Sequence, residues 1–350
     1  MEKPDLLELP SYKGHKRNIL FFERGKTLPA MLTVRKYPIS CANIDQIQII
    51  ETHTGSGRSK TSDIGIFNGS KVVIKRLSDI QNVIGYDTAH MYFMKDILMR
   101  DQIEHSNLIR LLGYCLRHLH REHQWWNHGD LTAVYEYGEK VTMEMLTSDM
   151  KSRLRHAMDI ADFLLYLKHS PLGPLRWGDL KLEHVLMINN KIKIIDFDYF
   201  NNIEKGCNNI TTEKIQKCEF NLTCQKVNER NFQISECHSV DDCKIGICIG
   251  YNAKQNIYYA NNILFRHLLE PDSFLREVKF DILQLRKLLD ENRTDAENII
   301  ERLKYIHDAI HLINKDTLNH DVYTVRSTLI IMFNICFSIS NATFSYANVH

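Results

Sequence analysis

The chain of 350 residues lacks a surplus of either charge, with 44 Lys and Arg against 43 Asp and Glu. That balance provides no basic stripe for a phosphate backbone, so nucleic acid is not an expected partner. Long hydrophobic runs are missing too. The most apolar stretch, TLIIMFNICFSI, is interrupted by Asn334 and falls short of the roughly 20 apolar residues that cross a bilayer, so no confident membrane span is expected. The opening MEKPDLLELP has acidic residues, two prolines and no apolar core, and does not read as a signal peptide. Repeats and low-complexity linkers are absent. With 44% hydrophobic and 25% charged residues, the composition is that of a globular chain and excludes collagen-like, coiled-coil and disordered classes.

What the sequence does have is nine cysteines, unevenly placed. Cys207, Cys218, Cys224, Cys237, Cys243 and Cys248 crowd into one stretch, while Cys41, Cys115 and Cys336 stand alone. A crowded set reads as a disulfide framework in an oxidising compartment or as metal ligands in a reducing one. No cysteine pair is separated by only two residues and no histidine pair follows at finger spacing, which favours disulfides over zinc. Cys115 and Cys336 read as buried thiols. Glycan acceptor triplets at Asn68, Asn209, Asn221, Asn292 and Asn341 point to the same oxidising compartment. The N-terminal sequence opposes it. Either residues preceding this chain supply the address, or the protein is cytosolic with free thiols.

Hydrophobic periodicity gives an ordered set of elements. Residues 1–43 show no sustained period and read as an extension. From Ile44, the alternation in IDQIQII and the β-branched run SKVVIKRL, joined through the Asn68-Gly69 pair, predict strands with a hairpin. DTAHMYFMKDILMRDQIEH carries Phe93, Ile97 and Leu98 on one helical side. NLIRLLGYC and LTAVYEYGE predict further strands, and residues 147–169 predict a long amphipathic helix with a Ser or Thr cap. Two short strands then flank Asn189-Asn190, an irregular cysteine-rich stretch follows, and helical periodicity returns from Asn256 to Ile310. Trp125, Trp126 and Trp177 read as core or interface residues. His118, His120 and His123 read as a solvated loop rather than a metal site.

Four pieces in order suggest phosphoryl transfer. In TGSGRSK, Gly55 and Gly57 lie in a turn where backbone N–H groups can approach phosphate, although Lys60 stands where a third glycine would complete the pattern. VVIK ends in Lys75, a strand-borne cation for the α- and β-phosphates, with Asp96 on the following helix as the acid that orients it. GDLKLEH offers Asp179 as proton acceptor and Lys181 as a neutralising charge. IIDFD places Asp196 after an apolar strand, positioned to hold a divalent metal.

These motifs resemble those of protein kinases from about Ile44 to Ile310: VVIK is similar to VAIK, GDLKLEH to HRDLKxxN, IDFD to DFG, and VYEYG, with Glu136 and Gly138, to the hinge. The resemblance implies an α+β, bilobal fold, with a β-rich N-lobe at 44–137, a helical C-lobe at 138–320 and a tail at 321–350. It implies ATP and Mg²⁺ or Mn²⁺ as cofactors, with His184 as a possible second metal ligand in place of Asn. Trp177-Gly178 replaces His-Arg, Asp198 replaces the glycine of DFG, and the cysteine-rich segment 207–248 stands where the activation loop would be. HSPLG, LGYC and the order of cysteines before GYNAKQNIYYANNILFRHLL resemble the divergent secretory-pathway kinases, the lonesome-kinase group above all, with O-mannose kinases more distant. In this group, Cys224 and Cys243 look like additions that could pair with each other. The resemblance implies a lumenal or extracellular enzyme acting on tyrosine of secreted or lumenal proteins, with a secreted pseudokinase scaffold and a glycan kinase as alternatives.

Overall fold

The computed structural model describes residues 36–57, 60–77, 86–116, 131–207, 217–218, 223–228, 231–236, 241–244 and 247–318. Trp125, Trp126, His118, His120, His123, Cys237, Cys336, Asn209, Asn221, Asn341 and the apolar C-terminal run lie outside them. The fold is α+β, with a sheet-built small lobe followed by a helical lobe.

The small lobe is an antiparallel sheet in the order β1-β2-β3-β5-β4. Its strands are β1 (Gln48–Ser56), β2 (Lys60–Phe67), β3 (Ser70–Leu77), β4 (Leu111–Leu116) and β5 (Leu131–Glu136). Asn68 and Gly69 form the expected β2–β3 turn, with φ of +48° and +76°, the left-handed pair that a two-residue hairpin demands. Helix α1 (Tyr86–Gln102) packs on this sheet and buries Phe93, Ile97 and Leu98 as their spacing predicts, with Phe93 and Ile97 clustered against Leu77, Ala133 and Tyr135.

The small lobe begins before Ile44. Ile39 runs beside Gly113, the Tyr37 hydroxyl donates to Asp101 at 2.6 Å, and Cys41 is disulfide-bonded to Cys115 across 74 residues. The expectation that Cys115 is a free buried thiol is therefore overturned: the strand-like path of residues 38–40 along β4 brings Cys41 alongside it. Only glycine fits at 113, since a Cβ there would lie 1.9 Å from the Ile39 carbonyl oxygen.

The chain leaves β5 through Tyr137 and Gly138 into the large lobe. There the short sheet β6-β7-β8 (Glu139–Lys140, Val185–Ile188, Lys191–Ile194) lies beneath the cleft, its last turn made by left-handed Asn189 and Asn190. Helices α2 (Met143–Leu146), α3 (Met150–Lys168), α4 (Tyr251–Ala260), α5 (Arg266–Leu268), α6 (Arg276–Asp290) and α7 (Ala296–Leu318) enclose one core around Phe163, Leu167, Trp177, Phe265, Ile282 and Leu303. The cap of α3 is Asp149, whose carboxylate accepts from the Ser152 amide, not the Ser or Thr expected. An aspartate one position nearer the first turn accepts the amide bond and also faces the positive end of the helix.

The cysteine-rich stretch is less irregular than its sequence suggests. Strand β10 (Thr223–Asn228) pairs with β11 (Asn231–Glu236), and β12 (Asp241–Lys244) pairs with β9 (Lys217–Cys218) and β13 (Ile247–Cys248). Cys207 and Cys248 are both disulfide-bonded. The two ends of the stretch meet: the Cys248 amide donates to the Lys205 carbonyl at 2.8 Å, and Glu204 accepts from the amides of Gly250 and Asn252 at the start of α4.

Candidate active site

Between the lobes lies a cleft of about 1350 Å³, lined from above by Gly55, Gly57, Lys60 and Lys75 and from below by Asp179, Lys181, His184 and Asp196. Glu136 and Gly138 border it at the lobe connection. Every sequence-predicted catalytic, nucleotide and metal residue thus reaches one cavity, except Asp96, which stands directly behind it.

Asp96 is fully buried on α1, and Lys60, Lys75, Arg100, Tyr135 and the Phe197 amide converge on its carboxylate. Lys75 and Lys60 approach Oδ2 at 3.5 Å each, the Tyr135 hydroxyl donates to Oδ2 at 3.1 Å, and the Phe197 amide donates to Oδ1 at 3.0 Å. Burial alone would raise the pKa of this carboxyl, but the ammonium groups of Lys60 and Lys75 and the Arg100 guanidinium hold it well below the usual range. One helical turn later, Arg100 donates to the carbonyls of Ile109 and Ile194 and lies 3.5 Å from the centroid of the Phe197 ring. Below Phe197, the rings of Phe200, Trp177 and Phe163 follow at 4.4, 6.0 and 5.5 Å, forming a buried aromatic column from α1 to α3. Trp177 is therefore core.

Asp196 follows β8 in a left-handed conformation, φ +66°, a cost that a non-glycine residue bears where function fixes its direction. Its Oδ1 lies 2.6 Å from Lys60 and its Oδ2 lies 3.1 Å from His184 Nε2. The other ring nitrogen of His184 lies 2.8 Å from the Asp179 carbonyl. A carbonyl only accepts, so Nδ1 carries a proton. In the neutral ring this turns the Nε2 lone pair toward a carboxylate oxygen, an arrangement that calls for a proton or a cation between them. A metal-ligating histidine has this form, with its remote N–H anchored on a backbone carbonyl. Asp196 and His184 therefore fit a divalent ion completed by phosphates and water. Among the described residues, no group of three His, Cys, Asp or Glu side chains forms a ready-made cage.

Asp179 lies at the cleft surface, 39% exposed, with Lys181 at 2.9 Å. The loop that carries it hangs from α4: Asn256 accepts from the Trp177 amide at 2.7 Å and donates to the Leu175 carbonyl, and Asn252 donates to the Pro174 carbonyl. Asp198 is buried with Oδ2 at 3.0 Å from Lys60, while its Oδ1 has no hydrogen-bond partner among the described residues. Burial raises its pKa to about 6 against the pull of Lys60, with Asp196 and Asp96 adding repulsion.

Three residues of this arrangement escaped the sequence reading as functional groups: Lys60, Arg100 and Asn256. Lys60 registered only as a missing glycine. Of the glycan acceptors within the described residues, Asn68 sits in the exposed β2–β3 turn, whereas Asn292 is 2% exposed and is enclosed in the folded chain.

Comparisons with known proteins find protein kinases as relatives. No family model matches the chain. The human extracellular tyrosine-protein kinase PKDCC is 27% identical over 232 residues, covering 65% of this chain and 41% of that protein. The probable serine/threonine-protein kinase pats1 of Dictyostelium discoideum is 29% identical over 167 residues, covering 44% of this chain and 5% of that protein. The wall-associated receptor kinase-like 3 of Arabidopsis thaliana is 26% identical over 216 residues, covering 56% and 28%. The chain spans less than half the length of these relatives.

Proposed function

We propose that this chain, a divergent relative of the protein kinases, is an ATP-dependent kinase that transfers the γ-phosphate to a hydroxyl. The observation that carries this reading is the left-handed Asp196, which turns its carboxylate toward His184 on one side and the strand-borne lysines on the other, within the cleft that Asp179 faces. Asp179 accepts the proton of the acceptor hydroxyl as its oxygen bonds to the γ-phosphorus. The bond to the β,γ-bridging oxygen breaks and ADP departs. Lys181 supplies positive charge beside the transferred group, Lys75 holds the α- and β-phosphates, and Asp96 orients Lys75. A divalent cation on Asp196 and His184 neutralises phosphate charge when bound. The imidazole ligand favours Mn²⁺ over Mg²⁺.

The acceptor we assign is a tyrosine of secreted or lumenal proteins, and the compartment is the secretory pathway or the extracellular space. Similarity to an extracellular tyrosine kinase supports the acceptor. The disulfides at Cys41–Cys115, Cys207 and Cys248 support the compartment. A second reading, a nucleotide-free scaffold, is favoured by one observation, the Lys60 ammonium seated on Asp196. Thermal unfolding with ATP and Mn²⁺ separates the two. Nucleotide at about 100 times its Kd stabilises a binding-competent fold by about 2.7 kcal/mol, so the Tm of wild type rises while that of Asp196→Ala does not. An unmoved wild-type Tm at millimolar ATP and Mn²⁺ contradicts the kinase reading.

A further inference from the structure

The catalytic reading leaves Lys60 without a task. Lys75 already serves Asp96 from β3, yet a second ammonium reaches the same acid from β2 and goes further, to Asp196 at 2.6 Å and Asp198 at 3.0 Å. Three carboxylate oxygens at 2.6–3.5 Å around one cation resemble the oxygen shell that a hard divalent ion takes. Lys60 and Asp198 enter the site as one positive and one negative charge, so together they leave its net charge unchanged.

We propose that Lys60 is a tethered surrogate cation: in the nucleotide-free protein its ammonium holds the Asp196 oxygen that a divalent metal requires, and metal enters as Lys60 leaves. This rests on the reading of Asp196 as a metal ligand. The ammonium and the metal cannot share one oxygen at close range, because two positive charges a few ångströms apart inside a buried site repel strongly. Lys60 has a new partner within reach. It is the first residue of β2, and its carbonyl accepts from the Gly57 amide at 2.8 Å, so its backbone stands at the base of the glycine turn that faces the phosphates. A flexible four-carbon stem lets the ammonium transfer from carboxylate to phosphate without moving the strand. Metal and nucleotide then bind with positive coupling, each favouring the state in which Lys60 is displaced. A site so arranged takes up little free metal and fills only when nucleotide arrives.

The alternative is a permanent ion pair that merely neutralises Asp198, and binding of Mn²⁺ alone, without nucleotide, distinguishes the two. Titration of the full chain with Mn²⁺, read by electron paramagnetic resonance, should give at least about tenfold tighter binding in Lys60→Met than in wild type, a modest figure for removing a positive charge beside the carboxylates of Asp96, Asp196 and Asp198. Adding Asp196→Ala to Lys60→Met should abolish the gain. Equal or weaker Mn²⁺ binding in Lys60→Met, or a gain that survives Asp196→Ala, overturns the proposal. Should Lys60→Met not fold, the charge-balanced Lys60→Met with Asp198→Asn is compared with Asp198→Asn alone under the same criterion. Failure of the kinase reading shows separately, as binding of ATP with Mn²⁺ that is equal in wild type and Asp196→Ala.

Discussion

The carboxylate of Asp96 accepts the backbone N–H of Phe197 at 3.0 Å. Helix α1 thereby grips the turn that carries Asp196 through its main chain, while the other oxygen of the same carboxylate lies 3.5 Å from Lys75 Nζ. One residue thus links Lys75 to the turn that carries Asp196. Replacing Asp96 with Ala leaves two buried ammonium groups short of a counterion, a loss of about 3–5 kcal/mol, read as a lower denaturation midpoint. Asp96→Asn keeps an acceptor for Phe197 and removes only the charge, so it should fold better than Asp96→Ala and raise the KM for ATP. Equal stability of the two variants would contradict this division of labour.

Asn256 holds the loop that carries Asp179 from outside the cleft. Asn256→Leu keeps the volume but leaves the Trp177 amide, buried beside it, without its acceptor, at a cost of about 1–3 kcal/mol. Because that loop carries Asp179, kcat should fall while the KM for ATP changes little. A variant with lowered stability and unchanged kcat would make Asn256 purely structural.

The Cys41–Cys115 bridge closes a long loop and ties residues 38–41 to β4. Cys41→Ala with Cys115→Ala should lower stability by about 2–4 kcal/mol, the usual contribution of such a cross-link. Reductant applied to wild type should act on this bridge and on the disulfides of Cys207 and Cys248, lowering Tm or activity further. No response to reductant in either quantity would contradict a structural role for the bridges.

Lys95, the residue before Asp96 on α1, provides a pH test. Burial lowers its pKa to about 8, with Asp198 pulling it up and Arg176 and Lys60 pushing it down. In the unfolded chain the group titrates near 10.4. Between these values the unfolded state holds a proton that the folded state has released, so this residue makes stability rise with pH across that window. Below pH 8 its cost is fully present. Lys95→Met should therefore raise Tm most at pH 8 and below, with a gain that shrinks toward pH 10.4. A gain independent of pH would show that the substitution acts through packing alone.

Much of this was legible in the chain itself. The order VVIK, GDLKLEH, IDFD fixes Lys75, Asp179 and Asp196 because each sits at the end of a strand or in a loop whose local pattern is readable. Phe93, Ile97 and Leu98 announced the buried face of α1. Lys60 was not legible, because its role depends on β2 lying in register with β3 while Asp196 arrives from a strand 136 residues away. The Cys41–Cys115 bridge was hidden for the same reason: 74 residues separate two isolated cysteines, and only the sheet edge joins them. Asn256 gave no signal, since its partners are backbone groups, which no side-chain pattern reveals.

The central claim is that Asp179 takes the proton from an acceptor hydroxyl while Asp196 holds the metal for ATP. Its most direct test is transfer of labelled γ-phosphate from ATP with Mn²⁺ to secreted-protein substrates, comparing wild type, Asp179→Asn and Asp196→Ala. Incorporation by wild type that falls by about 10²-fold or more in both variants is the predicted result, the least expected for loss of a positioned base. Equal incorporation by all three proteins would contradict the account.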